Sequence, residues 1–141
     1  MKVSTKSRNA LMMLAYLAEH YNGEFIPLKE ISERQDISKK YLEQIVPMFA
    51  GSDLLRAERG AQGGYMLGRS PDKISVGDIL RITEGSLAPV DPDSCDIHSP
   101  EMAVMPVWND LADTISDFLD GITLQDIADR QRESYANDYF I

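Results

Sequence analysis

Residues 28–49 read LKEISERQDISKKYLEQIVPMF, and the fold turns on how that stretch divides. Leu28 and Ile31 lie on one face of a short helical segment that opens behind Pro27, a residue the first helical turn tolerates. Gln35-Asp36-Ile37 interrupts the pattern, and Ser38 then offers a side-chain oxygen to cap a second helix. In that helix Tyr41, Leu42, Ile45 and Phe49 form one stripe, while Lys39 and Lys40 stand in the first turn. Pro47 kinks or ends it. Two short helices joined by about three residues, the second opening on polar and basic side chains, match a helix-turn-helix whose second helix enters a DNA groove.

Upstream, Leu11, Leu14, Ala15, Leu17 and Ala18 recur at helical spacing between Ser4 or Thr5, either of them a plausible N-cap, and the Asn22-Gly23 stop. Downstream, residues 54–58 and 65–67 are short strand-like runs flanking Arg59-Gly60-Ala61-Gln62-Gly63-Gly64, whose glycines permit a hairpin tip. That hairpin is a wing. No Lys-Ser/Thr pair follows the glycines and no helix starts there, which disfavours a phosphate-cofactor loop. Ser75 caps a helix that Gly85 stops, and residues 86–100 read as a loop. From Glu101 to Leu119, the positions Val104, Trp108, Leu111, Ile115 and Phe118 alternate by four and three, the seam of a helix that packs against a partner helix. Thr123 with Asp126 resembles a capping box opening a short last helix, and RESYANDYFI follows as a tail. The expected fold is mainly α with a small β wing. Residues 1–73 form a winged helix-turn-helix, and residues 74–141 a helical linker, the 86–100 loop, a dimerisation helix over 101–119, a short helix and the tail.

Taken alone, the formal net charge of −9 argues against DNA, whose phosphates attract cations. The charge is unevenly spread. Residues 1–73 hold 11 Lys and Arg against 9 Asp and Glu, whereas residues 74–141 hold 3 against 14. A nucleic-acid module joined to an acidic segment follows. No apolar stretch approaches membrane-spanning length, so a cytoplasmic protein without a membrane partner is expected. Cys95, the one cysteine, rules out an internal disulfide, and with two histidines it is a poor donor set for an ordinary zinc site. Neither a metal nor a cofactor is expected. Nor is an enzyme, since His20, His98 and Cys95 show no nucleophile-and-base spacing.

The stretches ISKKYLEQIV, LLRAERGAQGGYMLGRSPDKISVGDILRITEG and WNDLADTISDFLDGITLQDIA together resemble the Rrf2 family of bacterial winged-helix regulators, over almost the whole chain. The resemblance places Lys29, Ser38, Lys39, Lys40, Tyr41, Glu43 and Gln44 on the helix-turn-helix and Arg59, Gly60, Gln62 and Gly63 on the wing, as DNA contacts. Chemistry agrees with those roles: lysines neutralise phosphate, Glu43 and Gln44 can read base edges, and an arginine on a thin wing fits a narrow minor groove. Val104, Trp108, Leu111, Ile115 and Phe118 would dimerise, so that two recognition helices meet a near-palindromic operator.

Cluster-binding family members carry three cysteines before the dimerisation helix. Here there is only Cys95, with Met102 and Met105 closer to Trp108, so the chain looks more like the cysteine-metabolism repressor branch. For that branch the resemblance implies control by cysteine synthase, whose active site also accepts the C-terminal isoleucine of its serine acetyltransferase partner. Tyr139, Phe140 and Ile141 would be the contact, because a free α-carboxylate on a short apolar side chain imitates an amino acid. Two rivals remain. One moves the signal to oxidation of Cys95, or to a ligand in its loop, with Asp93 and Asp96 raising the thiol pKa. The other is a winged-helix protein-interaction adaptor that does not bind DNA.

Overall fold

Ser4 caps the first helix, α1 (Thr5–Glu19), by accepting from the Ser7 amide. The structure is a computed structural model that describes residues 2–140, with side chains through residue 137. Ala10, Met13, Leu14 and Leu17 put one face of α1 into the core, where Ile31 of α2 (Leu28–Gln35) and Leu42 and Ile45 of α3 (Lys39–Ile45) meet it. A 3-10 turn at Val46–Phe49 follows, because Pro47 cannot continue the α-helical ladder; Phe49 is buried there. The strands β1 (Leu55–Glu58) and β2 (Gly64–Leu67) pair antiparallel, Leu55 opposite Leu67 and Glu58 opposite Gly64. Ile26 adds an isolated bridge to Tyr65, which roots the wing against the segment before α2.

The chain then returns to the same core. Ser75 and Asp78 close a reciprocal capping box on α4 (Val76–Glu84), and Thr123 with Asp126 does the same for α6 (Leu124–Phe140). The two starts lie side by side: Val76 N–H donates to Ile122 O and Leu124 N–H to Ile74 O. Ile74, Ile79 and Leu124 therefore join the cluster built by α1 to α3, and the change in charge near residue 73 divides no hydrophobic core.

Between them, α5 (Met105–Asp120) leaves the body. Arg81 of α4 holds its end through a two-pronged ion pair with Asp120, 2.7 and 2.8 Å, and Gly77 leaves room for that carboxylate: a Cβ there would lie 2.0 Å from Asp120 Oδ1. Two expectations are corrected. The seam helix begins at Met105, not Glu101, because Pro106 is tolerated only in a first turn; Val104 is its cap and Pro100–Ala103 a separate 3-10 turn. The last helix is not short: no glycine or proline falls between residues 124 and 140, and the supposed tail stays helical to Phe140.

Glu84 ties α4 back to α1. Its Oε1 accepts from the Ser4 amide at 2.8 Å and from the buried Ser7 hydroxyl at 2.7 Å. Those donors hold the Glu84 carboxyl below its ordinary range, as Arg81 does for Asp120 and Thr123 for Asp126. A depressed folded pKa contributes stability that is present above the unfolded value and lost as pH falls through the folded one. The melting temperature is thus expected to drop below about pH 4. Glu84→Gln, which keeps an acceptor but no titration, should make that acid limb shallower in a calorimetric pH series. An identical limb would deny Glu84 its part.

Candidate nucleic-acid interface

The turn between α2 and α3 is built by three local choices. Asp36 takes a left-handed conformation (φ 54°) at the end of α2, Ile37 turns into the core, and the Ser32 hydroxyl donates to Ile37 O. Ser38 Oγ then accepts from the Tyr41 amide at 3.0 Å, starting α3. With Leu42 and Ile45 buried, Lys39, Lys40, Glu43 and Gln44 necessarily point outward and are exposed; Tyr41 is half-buried against the core. Lys29 is exposed near the start of α2.

On the wing, Arg59, Gly60, Ala61 and Gln62 are exposed at the tip, with Gly60 at φ 109° and the Gly63 amide donating back to Gly60 O. Gly63 and Gly64 are required by close approach: a Cβ would stand 2.1 Å from Glu58 O in the first case and 2.2 Å from Ile26 O in the second. Gln62 shares a groove with Glu24, Phe25 and Pro27. Among the described residues, no ion pair occupies Lys29, Lys39, Lys40 or Arg59, and no hydrogen bond joins the wing tip to α3. The candidate interface therefore has two separate projections whose cations form no ion pair among the described residues, which suits a surface spanning two grooves or a groove and a backbone.

Two polar residues beside α3 are not among the expected DNA contacts. Thr5 and Asn9 of α1 line one cleft with Ser38 and Tyr41, beside Asp36 and Ile37, which sets a hydroxyl and an amide next to the first turn of α3. Their only sequence signal is the basic start of the chain, with Lys2, Lys6 and Arg8 and no acidic residue. Arg56 of β1 was also passed over; its guanidinium lies 6.0 Å from the centre of the Phe25 ring.

Of the seam, Trp108 and Ile115 are half-buried, whereas Val104 is 47 %, Leu111 36 % and Phe118 66 % exposed. Only Met105 of the sixteen α5 residues is buried. The tail contact falls on the Tyr139 and Phe140 side chains and on Ile141, which lie outside the described residues. Cys95 is half-buried in the loop, its Sγ 3.6 Å from Asp96 O. Burial, then the charge of Glu101, pushes its thiol pKa up; the charge is Glu101 rather than the expected Asp93 and Asp96.

No helix among the described residues is long and apolar enough to cross a membrane. A family model described as Rrf2, "Iron-dependent Transcriptional regulator", matches residues 3–130. The donor set here does not fit an iron centre: there is one thiol, and no cluster of three His, Cys, Asp or Glu among the described residues. The HTH-type transcriptional regulator CymR of Bacillus subtilis is 37 % identical over 96 % of this chain and 97 % of its own length. The regulator IscR of Erwinia tasmaniensis is 36 % identical over 93 % of this chain and 81 % of its own. A solved structure of CymR, described as the global cysteine regulator of B. subtilis, superposes with a TM-score of 0.80 at 35 % identity, covering 92 % of this chain and 98 % of that one. IscR of T. potens does so at 0.78 and 36 %, covering 95 % and 90 %. These relatives are transcription regulators on a winged-helix fold, and the chain belongs to the Rrf2 family of DNA-binding transcriptional regulators.

Proposed function

We propose that the chain is a homodimeric, cytoplasmic repressor that binds a near-palindromic operator before cysteine- or sulfur-metabolism genes. The observation that carries the DNA part is a set of exposed cations, Lys39 and Lys40 on α3 and Arg59 on the wing, that form no ion pair among the described residues, in a protein whose net charge is −9. Lys39 and Lys40 contact phosphate with the Ser38 end of α3, Glu43 and Gln44 face base edges, and Arg59 enters the minor groove from the Gly60–Gly63 hairpin. Two copies joined through α5 present two such sets at half-sites separated by one or more helical turns. Selection of bound fragments from a random DNA pool is expected to return a site with that two-fold symmetry. Recovery of no common sequence would leave the adaptor reading.

The gene class is supported by the similarity to a global cysteine regulator, and by the single cysteine where a cluster needs several. Control by cysteine synthase through Tyr139, Phe140 and Ile141 is the matching signal. Removing Ile141 alone is expected to abolish calorimetric binding of cysteine synthase while leaving operator affinity unchanged. Equal binding by the shortened chain would move the signal elsewhere.

A further inference from the structure

We propose that the cleft between the end of α1, α2 and α6 binds a free α-amino acid. The cavity has a volume of about 520 Å³, ample for such a molecule, and charges of both signs line it: Glu19 at the end of α1 and Glu30 of α2 against Arg34 of α2, with His20 just beyond α1 and the exposed Tyr135 of α6 at its edge.

Two of those groups are held in place from beneath. Tyr16 is buried, and its hydroxyl donates to Glu30 Oε2 at 2.8 Å. Burial, reinforced by Glu30, pushes the Tyr16 pKa up to about 12, so the hydroxyl remains a donor and fixes the Glu30 carboxylate. The same ring packs against His20, centroids 4.4 Å apart at 50°. Arg34 stands one turn beyond Glu30 yet forms no ion pair among the described residues, because Glu30 is turned toward Tyr16. Among the described residues the Arg34 guanidinium is therefore free, and it lines the same cleft as a carboxylate that is already oriented.

A zwitterion satisfies both. Its carboxylate meets the Arg34 fork and the His20 ring, and its ammonium meets Glu30 and Glu19. A phosphate group would face two carboxylates, and a purely apolar ligand would strand every charged group on the walls. The occupant would tie α2, the first helix of the DNA-binding pair, to α6.

The test titrates the full-length protein, without DNA, with each proteinogenic amino acid, and then repeats any binder as its N-acetyl and methyl-ester forms. It follows heat and the Tyr16 and His20 resonances. At least one free amino acid is expected to bind, with either blocked form weaker by about tenfold or more. Arg34→Gln and Glu30→Gln, at exposed positions, are each expected to cost about tenfold in affinity with an unchanged circular dichroism spectrum. Absence of binding at millimolar concentration, equal binding of the blocked forms, or indifference to both substitutions would overturn the site. Because DNA is absent, the outcome is separate from that of operator recognition.

Discussion

Replacing Arg59 with alanine is expected to weaken operator binding by about 1–3 kcal/mol per copy, roughly fivefold to 150-fold, and a dimer bears that cost twice. Arg59 stands at the mouth of a four-residue-long strand pair whose tip is exposed, and the tight glycines behind it set where the guanidinium can reach. Lys39 and Lys40 differ in kind: they stand at the start of α3 and are proposed to meet phosphate, so Lys39→Ala or Lys40→Ala is expected to weaken all sequences alike. For every phosphate that is no longer neutralised, the slope of log affinity against log salt should become shallower by about 0.9. Fluorescence anisotropy across a salt series separates the effects. A triple variant that keeps both affinity and slope would show that this face does not meet DNA.

The parts of this molecule that could be read from sequence are those fixed by neighbours in the chain. Ser38, Asp36 and Ile37 are enough to set the turn into α3, and Arg59 with three glycines is enough to set a wing tip, since caps and close approaches are local. Lys39, Lys40 and Arg59 followed as surface cations for the same reason. The start of α5 was also local, but Pro106 was outweighed by a seam pattern that runs on through Val104. The length of α6 rests on the absence of a breaker, a weaker signal than the polar, aromatic composition that reads as a tail. Thr5 and Asn9 could not be placed by any local rule. They reach Ser38 only because α1 crosses α3 over the shared core of Leu14, Leu42 and Ile45. The amino-acid cleft is tertiary in the same sense, its walls coming from residues 16–20, 30–34 and 135.

Phe118→Asp is expected to turn the protein from dimer to monomer at micromolar concentration. In the single chain Phe118 is 66 % and Val107 59 % exposed, and α5 buries one residue in sixteen, which no isolated domain of this size has reason to maintain. Burying a phenylalanine is worth about 1.5–3 kcal/mol. A two-fold interface counts each substitution twice, so the loss is about 3–6 kcal/mol, roughly two to four orders of magnitude in dimer affinity, before the cost of burying a carboxylate. The fold of each protomer should survive, because Phe118 lies outside the core formed by α1 to α4, the wing and Leu124. Sedimentation velocity then reads the assembly and circular dichroism the fold. If the variant sediments as a dimer with a native spectrum, α5 is not the interface, and the two half-sites must be brought together by another surface. If it is monomeric and folded, its operator affinity should fall to that of one half-site, and the salt slope should fall with it, since only half as many phosphates are then neutralised.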